Sequence, residues 1–129
     1  IVMEVASGVR KSMDIFGDDY ETSDGTGIRD YIHVNDLASA HVSALNYLVE
    51  KNKNLIVNLA SGVGYSVLDV INRAEKVTKK KIFYEIVGRR DGDPAELTSI
   101  SMQAKKLLNW EAKHSDLYTL LSTMWEVYK

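Results

Sequence analysis

No cysteine occurs among the 129 residues. That excludes disulfide cross-links and thiol catalysis, and it makes a reducing compartment, the cytoplasm, the expected location. An excess of either charge is missing too: 16 Lys and Arg stand against 18 Asp and Glu, a formal net charge of -2. No broad basic field is therefore expected to hold nucleic acid or an anionic membrane. No apolar run approaches the ~18 residues that a membrane-spanning helix needs. The opening residues, IVMEVASGVRK, have no basic leader and are broken by Glu4, so they do not read as a signal peptide. Internal repeats and low-complexity linkers are lacking. His33, His41 and His114 show no metal-ligand spacing, and no Ser-His-Asp arrangement can be argued from spacing alone.

What is present is an ordinary globular composition, 45% apolar and 26% charged, in a chain long enough for one core. Val2, Val5, Ala6 and Val9 predict a helix over about residues 1–11, closed by Arg10 and Lys11. A chain that opens inside a helix pattern is expected to be a piece of a longer one. Met13 to Phe16 reads as a short strand, followed by a turn at Gly17, Asp18 and Asp19 and a loop from Thr22 to Gly27. Ile28 to Val34 reads as a strand with Arg29, Tyr31 and His33 on one face. A helix follows, with Asn35 as N-cap, Asp36 favoured by the helix dipole, and an apolar stripe of Leu37, His41, Ala44, Leu45 and Leu48.

Leu55 to Leu59 is nearly all apolar and reads as a central strand. After a glycine turn, Ser66 and Asp69 resemble a capping box for a helix that buries Val67, Val70, Ile71, Ala74 and Val77 and ends at Lys79–Lys81. Ile82 to Val87 is a further strand and Gly88 to Pro94 a charged loop. Ser101 caps a short helix ended by Asn109 and Trp110. Ser115 caps a last helix with a stripe of Leu117, Leu120, Leu121, Met124, Trp125 and Tyr128. Strands alternating with helices point to a single α/β unit over residues 1–129.

The richest stretch is Phe16 to Asp36, which joins a glycine-rich turn to a strand and a helix start. Arg29 lies at the edge of that turn, where a planar fork suits a phosphate. GRRDGDP, residues 88–94, reads as a turn whose charges pair with one another. Taken with Arg29, Arg90 would supply a second fork, and a diphosphate carries charge enough for two. ASGVGYSV, residues 60–67, is half of a dinucleotide-binding turn, but Val67 stands at the third glycine position, so an ordinary connection is the favoured reading. His41 is expected at the core boundary, His114 exposed, and His33 as a polar orienter on the face of Arg29.

FGDDYETSDGTGIRDYIHVNDLASAH, NLASGVGYSVLDVI and RRDGDPAEL, in that order and with Asn109-Trp110 beyond them, carry a resemblance that covers essentially the whole chain. It is similar to the UDP-sugar 4-epimerases of the extended short-chain dehydrogenase/reductase family. The resemblance implies a two-part protein: an N-terminal Rossmann-type half that holds NAD, and a C-terminal portion that binds the UDP-sugar. This chain matches the C-terminal substrate-binding portion alone, with the Rossmann half missing. The implied activity of the parent is interconversion of UDP-galactose and UDP-glucose through oxidation and re-reduction at C4 with NAD.

In such enzymes the residues matching Asp14, Ile15 and Phe16 lie along the uracil. Those matching Arg29 and Arg90 hold the diphosphate, and the one matching Asp93 contacts the ribose. Asp91 and Gly92 belong to the same loop, and Tyr31 is counted with the substrate-binding residues. Glu96 or Leu97 takes the place of a tyrosine that many relatives carry near the sugar. The Tyr-x-x-x-Lys of the family is absent; Tyr47 and Lys51 have its spacing but lie on a different segment. The glycine-rich NAD turn is absent as well, so no catalytic or cofactor-binding residue is assigned here. The chain alone is expected to be inactive, and a homodimer is an expectation for the parent. Another nucleotide-sugar epimerase or dehydratase, or a non-catalytic nucleotide-sugar-binding module, are the alternatives.

Overall fold

The computed structural model describes residues 1–129. Its elements are α1 (Val2–Ala6), β1 (Met13–Phe16), β2 (Ile28–Asp30), α2 (Val34–Lys51), β3 (Gly64–Ser66), α3 (Val67–Thr78), β4 (Tyr84–Val87), β5 (Glu96–Leu97), α4 (Met102–Leu108) and α5 (Leu117–Tyr128). β1 pairs in parallel with β4, from Met13 opposite Tyr84 to Phe16 opposite Val87. β2 lies between β3, to which it is antiparallel, and β5, to which it is parallel. This is the α/β class that the alternation predicts. No helix is long and apolar enough to cross a membrane.

The main core forms where α1, α3 and α5 meet β1. It contains Met3, Val5, Ala6, Ile15, Ile71, Ala74, Ile82, Leu117 and Leu121. Each large aliphatic side chain buried there contributes about 1.5–3 kcal/mol. α3 is placed by local chemistry. The Ser66 hydroxyl accepts the Asp69 amide at 3.0 Å, and the Asp69 carboxylate accepts the Ser66 amide at 3.2 Å. This is the predicted capping box, and it satisfies orphan groups of the first turn. A second, smaller cluster of Ala40, Ala104 and Trp110 joins α2 to α4.

Several expectations are corrected. α1 stops at Ala6 rather than near residue 11, because Gly8 turns the chain at φ 80. Arg10 folds back onto Glu4 at 3.1 Å. β2 ends at Asp30, so Tyr31 and His33 do not share its alternation with Arg29. α2 begins early because His33, not Asn35, is its N-cap: His33 Nδ1 accepts the Asn35 amide at 3.0 Å.

The expected stripe of α2 faces largely outward. His41, Leu45 and Leu48 are exposed, whereas Asp36 and Ala40 are buried. Residues 55–59 form no strand: a strand needs a ladder partner, this segment has none, and Ile56 is 97% exposed. Asp116, not Ser115, caps α5 and accepts the Thr119 amide at 2.9 Å. Ser101 precedes α4, but its hydroxyl bonds the Ala60 backbone instead of capping. β3 and β5, of three and two residues, are too short for their alternation to show in the sequence. At Gly64 an added Cβ would lie 2.6 Å from Ile28 Cγ2 and 2.8 Å from Thr98 Cγ2, so only glycine lets β3 close on β2.

Candidate functional site

The segment from Phe16 to Asp36 is pinned by three carboxylates. Asp24 accepts the amide and hydroxyl of Thr26, at 2.9 and 2.7 Å, and the Ser66 hydroxyl. Asp30 accepts the Ser61 amide at 2.9 Å, its hydroxyl at 2.7 Å and the Gly62 amide at 3.1 Å. Asp36 accepts the Lys113 amide at 3.0 Å, the His114 amide at 2.8 Å and the Ser115 hydroxyl at 2.6 Å. That hydroxyl also accepts the His33 amide at 2.9 Å, and the Trp110 indole donates to the Asp36 carbonyl at 3.1 Å. Burial opposes the charges of Asp24 and Asp36. The hydrogen bonds they receive outweigh it, from Ser66 and Thr26 in one case and from Ser115, Lys113 and His114 in the other. Both carboxyls therefore lie below their ordinary range. Remote loops are thus tied to the strand that carries Arg29.

Arg29 is oriented from behind and in front. Its Nη1 donates to the Ile28 carbonyl at 2.7 Å and its Nη2 to Asp93 Oδ1 at 2.6 Å. Arg90 meets the other oxygen of the same carboxylate, with Nη2 at 2.8 Å and Nε at 3.2 Å from Asp93 Oδ2. The Arg90 guanidinium lies 4.6 Å from the centre of the Phe16 ring, a cation–π contact. Hydrogen bonds from Arg90, then Arg29, hold the Asp93 carboxyl below the usual carboxylate range. These groups border a cavity of about 390 Å³ whose apolar wall includes Met13, Val67 and Val70. Burial pushes the Tyr31 phenol up, against the influence of Arg29, so this wall stays neutral. Two guanidiniums converging beside an apolar wall suit a ligand that joins a multiply charged anion to a flat or apolar group.

Asp14, Ile15, Phe16, Arg29, Tyr31, Arg90 and Asp93 all line this one cavity. Ile15 does so from within the core, only 1% exposed, so it builds the wall and presents little surface. Asp91 and Gly92 are not in the lining; they sit exposed at the tip of their turn. The charges of that turn pair only in part with one another: Arg90 meets Asp93, whereas Arg89 meets Asp19 at 2.7 Å and stacks 4.1 Å over Tyr20. His33 is buried, its Nε2 paired with Thr123 Oγ1 at 2.9 Å, and is a cap rather than an orienter of Arg29. His41 is exposed and donates to the Leu37 carbonyl at 2.7 Å. Sequence reasoning missed Tyr20, which lines the cavity with a buried hydroxyl that has no hydrogen-bond partner. Its only signal was an aromatic set among turn-forming charges.

Residues 2–60 match the model of the NAD dependent epimerase/dehydratase family. The UDP-glucose 4-epimerase of Streptococcus mutans is 45% identical over 125 residues, 97% of this chain and 38% of that protein. The crystal structure of a UDP-glucose 4-epimerase from Stenotrophomonas maltophila, with bound NAD and formylated UDP-arabinopyranose, superposes with a TM-score of 0.93 at 42% identity, over 98% of this chain and 38% of that one. The family model thus matches the first part of the chain, and nearly the whole chain is similar to one portion of these epimerases. Its fold is that of a C-terminal portion of the extended short-chain dehydrogenase/reductases. A further crystal structure, of the UDP-glucose 4-epimerase from Bifidobacterium longum in complex with NAD+ and UDP, superposes with a TM-score of 0.87 at 39% identity, over 98% of this chain and 38% of that one. The chain spans about 38% of the length of the curated relatives it matches.

The glycine turn of residues 61–64 does not fit a dinucleotide in the way the family's cofactor would require. Its Gly62 amide already donates to Asp30, and the space at Gly64 is filled by Ile28 and Thr98. A phosphate-cradling turn needs open amides and room for close approach. No step is therefore assigned to NAD on these residues.

Proposed function

We propose that this chain is the UDP-sugar-binding part of a UDP-glucose 4-epimerase, an isomerase of galactose metabolism that interconverts UDP-galactose and UDP-glucose. The observation that carries this reading is the convergence of Arg29 and Arg90, far apart in sequence, on the two oxygens of one carboxylate. Their forks would clamp the diphosphate, Phe16 would lie against the uracil, and Asp93 would face the ribose. Asp14, Ile15 and Tyr31 would complete the wall, with Asp91 and Gly92 shaping the loop. The role of the chain is affinity and placement of the sugar, which lower the barrier by orientation.

NAD and the acid–base residues would come from the rest of the parent enzyme. The exposed apolar side chains Val42, Leu45 and Val49, at helical spacing on α2, form a face of the kind that such a remainder would cover. The 129 residues alone are then expected to give no turnover of UDP-galactose with added NAD; turnover by the purified chain would overturn that expectation.

The test of the site is replacement of each arginine in the complete enzyme. Arg29→Ala and Arg90→Ala should each raise KM for UDP-galactose about 10- to 100-fold, the scale of one or two lost charge-assisted hydrogen bonds. An unchanged KM in either variant would remove that residue from the clamp.

A further inference from the structure

Arg89 and Arg90 are neighbours in sequence, and each covers a different aromatic ring. The Arg90 guanidinium lies 4.6 Å from the centre of Phe16, and that of Arg89 lies 4.1 Å from the centre of Tyr20. Phe16, Tyr20 and Arg90 line the cavity; Arg89 and its partner Asp19 do not. Arg89 grips Asp19 at two points: its Nε donates to Oδ1 at 2.7 Å, and its Nη2 donates to the backbone carbonyl. Its stem passes so close to Gly17 that a Cβ there would lie 2.7 Å from Arg89 Cγ.

This grip falls where the backbone offers none. The ladder of β1 with β4 ends with the Gly17 amide donating to the Val87 carbonyl at 2.9 Å, and the next backbone tie is the Ile28 amide to the Ala95 carbonyl at 2.8 Å. Between Val87 and Ala95, the hydrogen bonds that leave the loop come from side chains: Arg89 with Asp19, and Asp93 with Arg29. The Arg89–Asp19 pair is exposed, with 45% and 72% of the two side chains open to solvent, so it adds little to overall stability. We propose that Arg89 is a positioning residue: through Asp19 and Tyr20 it staples the Phe16–Tyr20 wall to the loop that carries Arg90, and thereby sets the spacing between the place for a flat group and the place for a diphosphate. This rests on the UDP reading of the cavity, and it adds a residue that lies outside the cavity lining.

The consequence is confined to ligands that have both parts. Uridine needs the wall alone and pyrophosphate the arginines alone, so neither reads the spacing between them. UDP must meet both at once, and its apparent affinity scales with the fraction of molecules whose two walls stand at the right separation. Loss of the staple lowers that fraction without removing a contact to the ligand.

The experiment is calorimetric titration of the natural protein that contains this chain with UDP, uridine and inorganic pyrophosphate, for the wild type, Arg89→Ala, Asp19→Ala, the double variant and Arg90→Ala. Arg89→Ala and Asp19→Ala should each weaken UDP about fivefold and leave uridine and pyrophosphate within about twofold, and the double variant should lose no more than Arg89→Ala alone. Arg90→Ala should weaken UDP and pyrophosphate together. If Arg90→Ala does so while Arg89→Ala leaves UDP within about twofold, the staple is overturned and the clamp stands. If Arg89→Ala weakens uridine or pyrophosphate as much as UDP, Arg89 shapes a single wall and the spacing role is overturned. If Arg90→Ala leaves UDP binding unchanged, the clamp falls and the staple with it. Thermal melts of each variant separate these results from misfolding.

Discussion

Asp36 and Asp93 both have carboxyls held below the ordinary range, yet they are held by partners of different kinds. Asp36 is 2% exposed, and its partners are neutral: the amides of Lys113 and His114 and the hydroxyl of Ser115. Those donors are fixed in backbone or in a buried side chain, and they cannot leave without opening the fold. Asp93 is gripped by two long cations, Arg29 and Arg90, whose charges it neutralises. A carboxylate saturated by neutral donors is architecture. A carboxylate that neutralises two arginines in the lining of a cavity belongs to that cavity's site. Asp24 and Asp30, bonded to amides and hydroxyls, belong with Asp36.

The comparison breaks if the two groups respond alike to mutation. The largest effect on stability is expected at Asp36. Asp36→Ala leaves buried donors without an acceptor, at about 1–3 kcal/mol for each group that water cannot reach. A loss of about 3 kcal/mol in urea unfolding is the expected outcome, and a loss under about 1 kcal/mol would place Asp36 among the dispensable groups. Acid should act in the same direction. The folded-state pKa values of Asp24 and Asp36 are depressed, so the stability they contribute is complete above the unfolded value of ~3.9. It is lost as pH falls through the folded values. Urea midpoints should therefore hold steady from neutrality to about pH 5 and decline below about pH 4. Asp36→Asn should flatten that decline, and an equally steep one would sever it from this carboxylate. The smallest effect is expected at Asp93: Asp93→Asn should shift the urea midpoint less than Asp36→Ala does, since Asn keeps one oxygen to accept from Arg29 and the Arg90 partner lies largely in solvent, where ion pairs add little to stability. A midpoint shift as large as that of Asp36→Ala would make Asp93 architectural.

The legible parts of the chain were those whose partners lie close in sequence or whose motif is specific. The Ser66–Asp69 cap spans three residues, and it forms as expected. Arg29 and Arg90 were paired through the chemistry of a diphosphate, and the structure brings them to one carboxylate. What stayed hidden depends on long-range closure. The bond from Ser61 to Asp30 crosses 31 positions, and that from Ser115 to Asp36 crosses 79. Ser115 therefore read as a helix cap, because a cap is the only partner that local sequence offers a serine there. Asn35 lost its place to His33 for a related reason: an imidazole can accept an amide proton, and Ser115 fixes the backbone of His33. Residues 55–59 are apolar enough for a central strand, but apolarity gives no ladder partner, and this chain supplies none. The short strands β3 and β5 leave too few residues for any period to show.

The clamp itself is tested most directly by the affinity of UDP for the wild-type protein, Arg29→Ala and Arg90→Ala, measured side by side with that of uridine. Each variant should lose UDP affinity by at least about tenfold and keep its uridine affinity, because the lost fork addresses phosphate alone. Equal losses for UDP and uridine, or no loss for either, would contradict the convergence of these two arginines on a diphosphate.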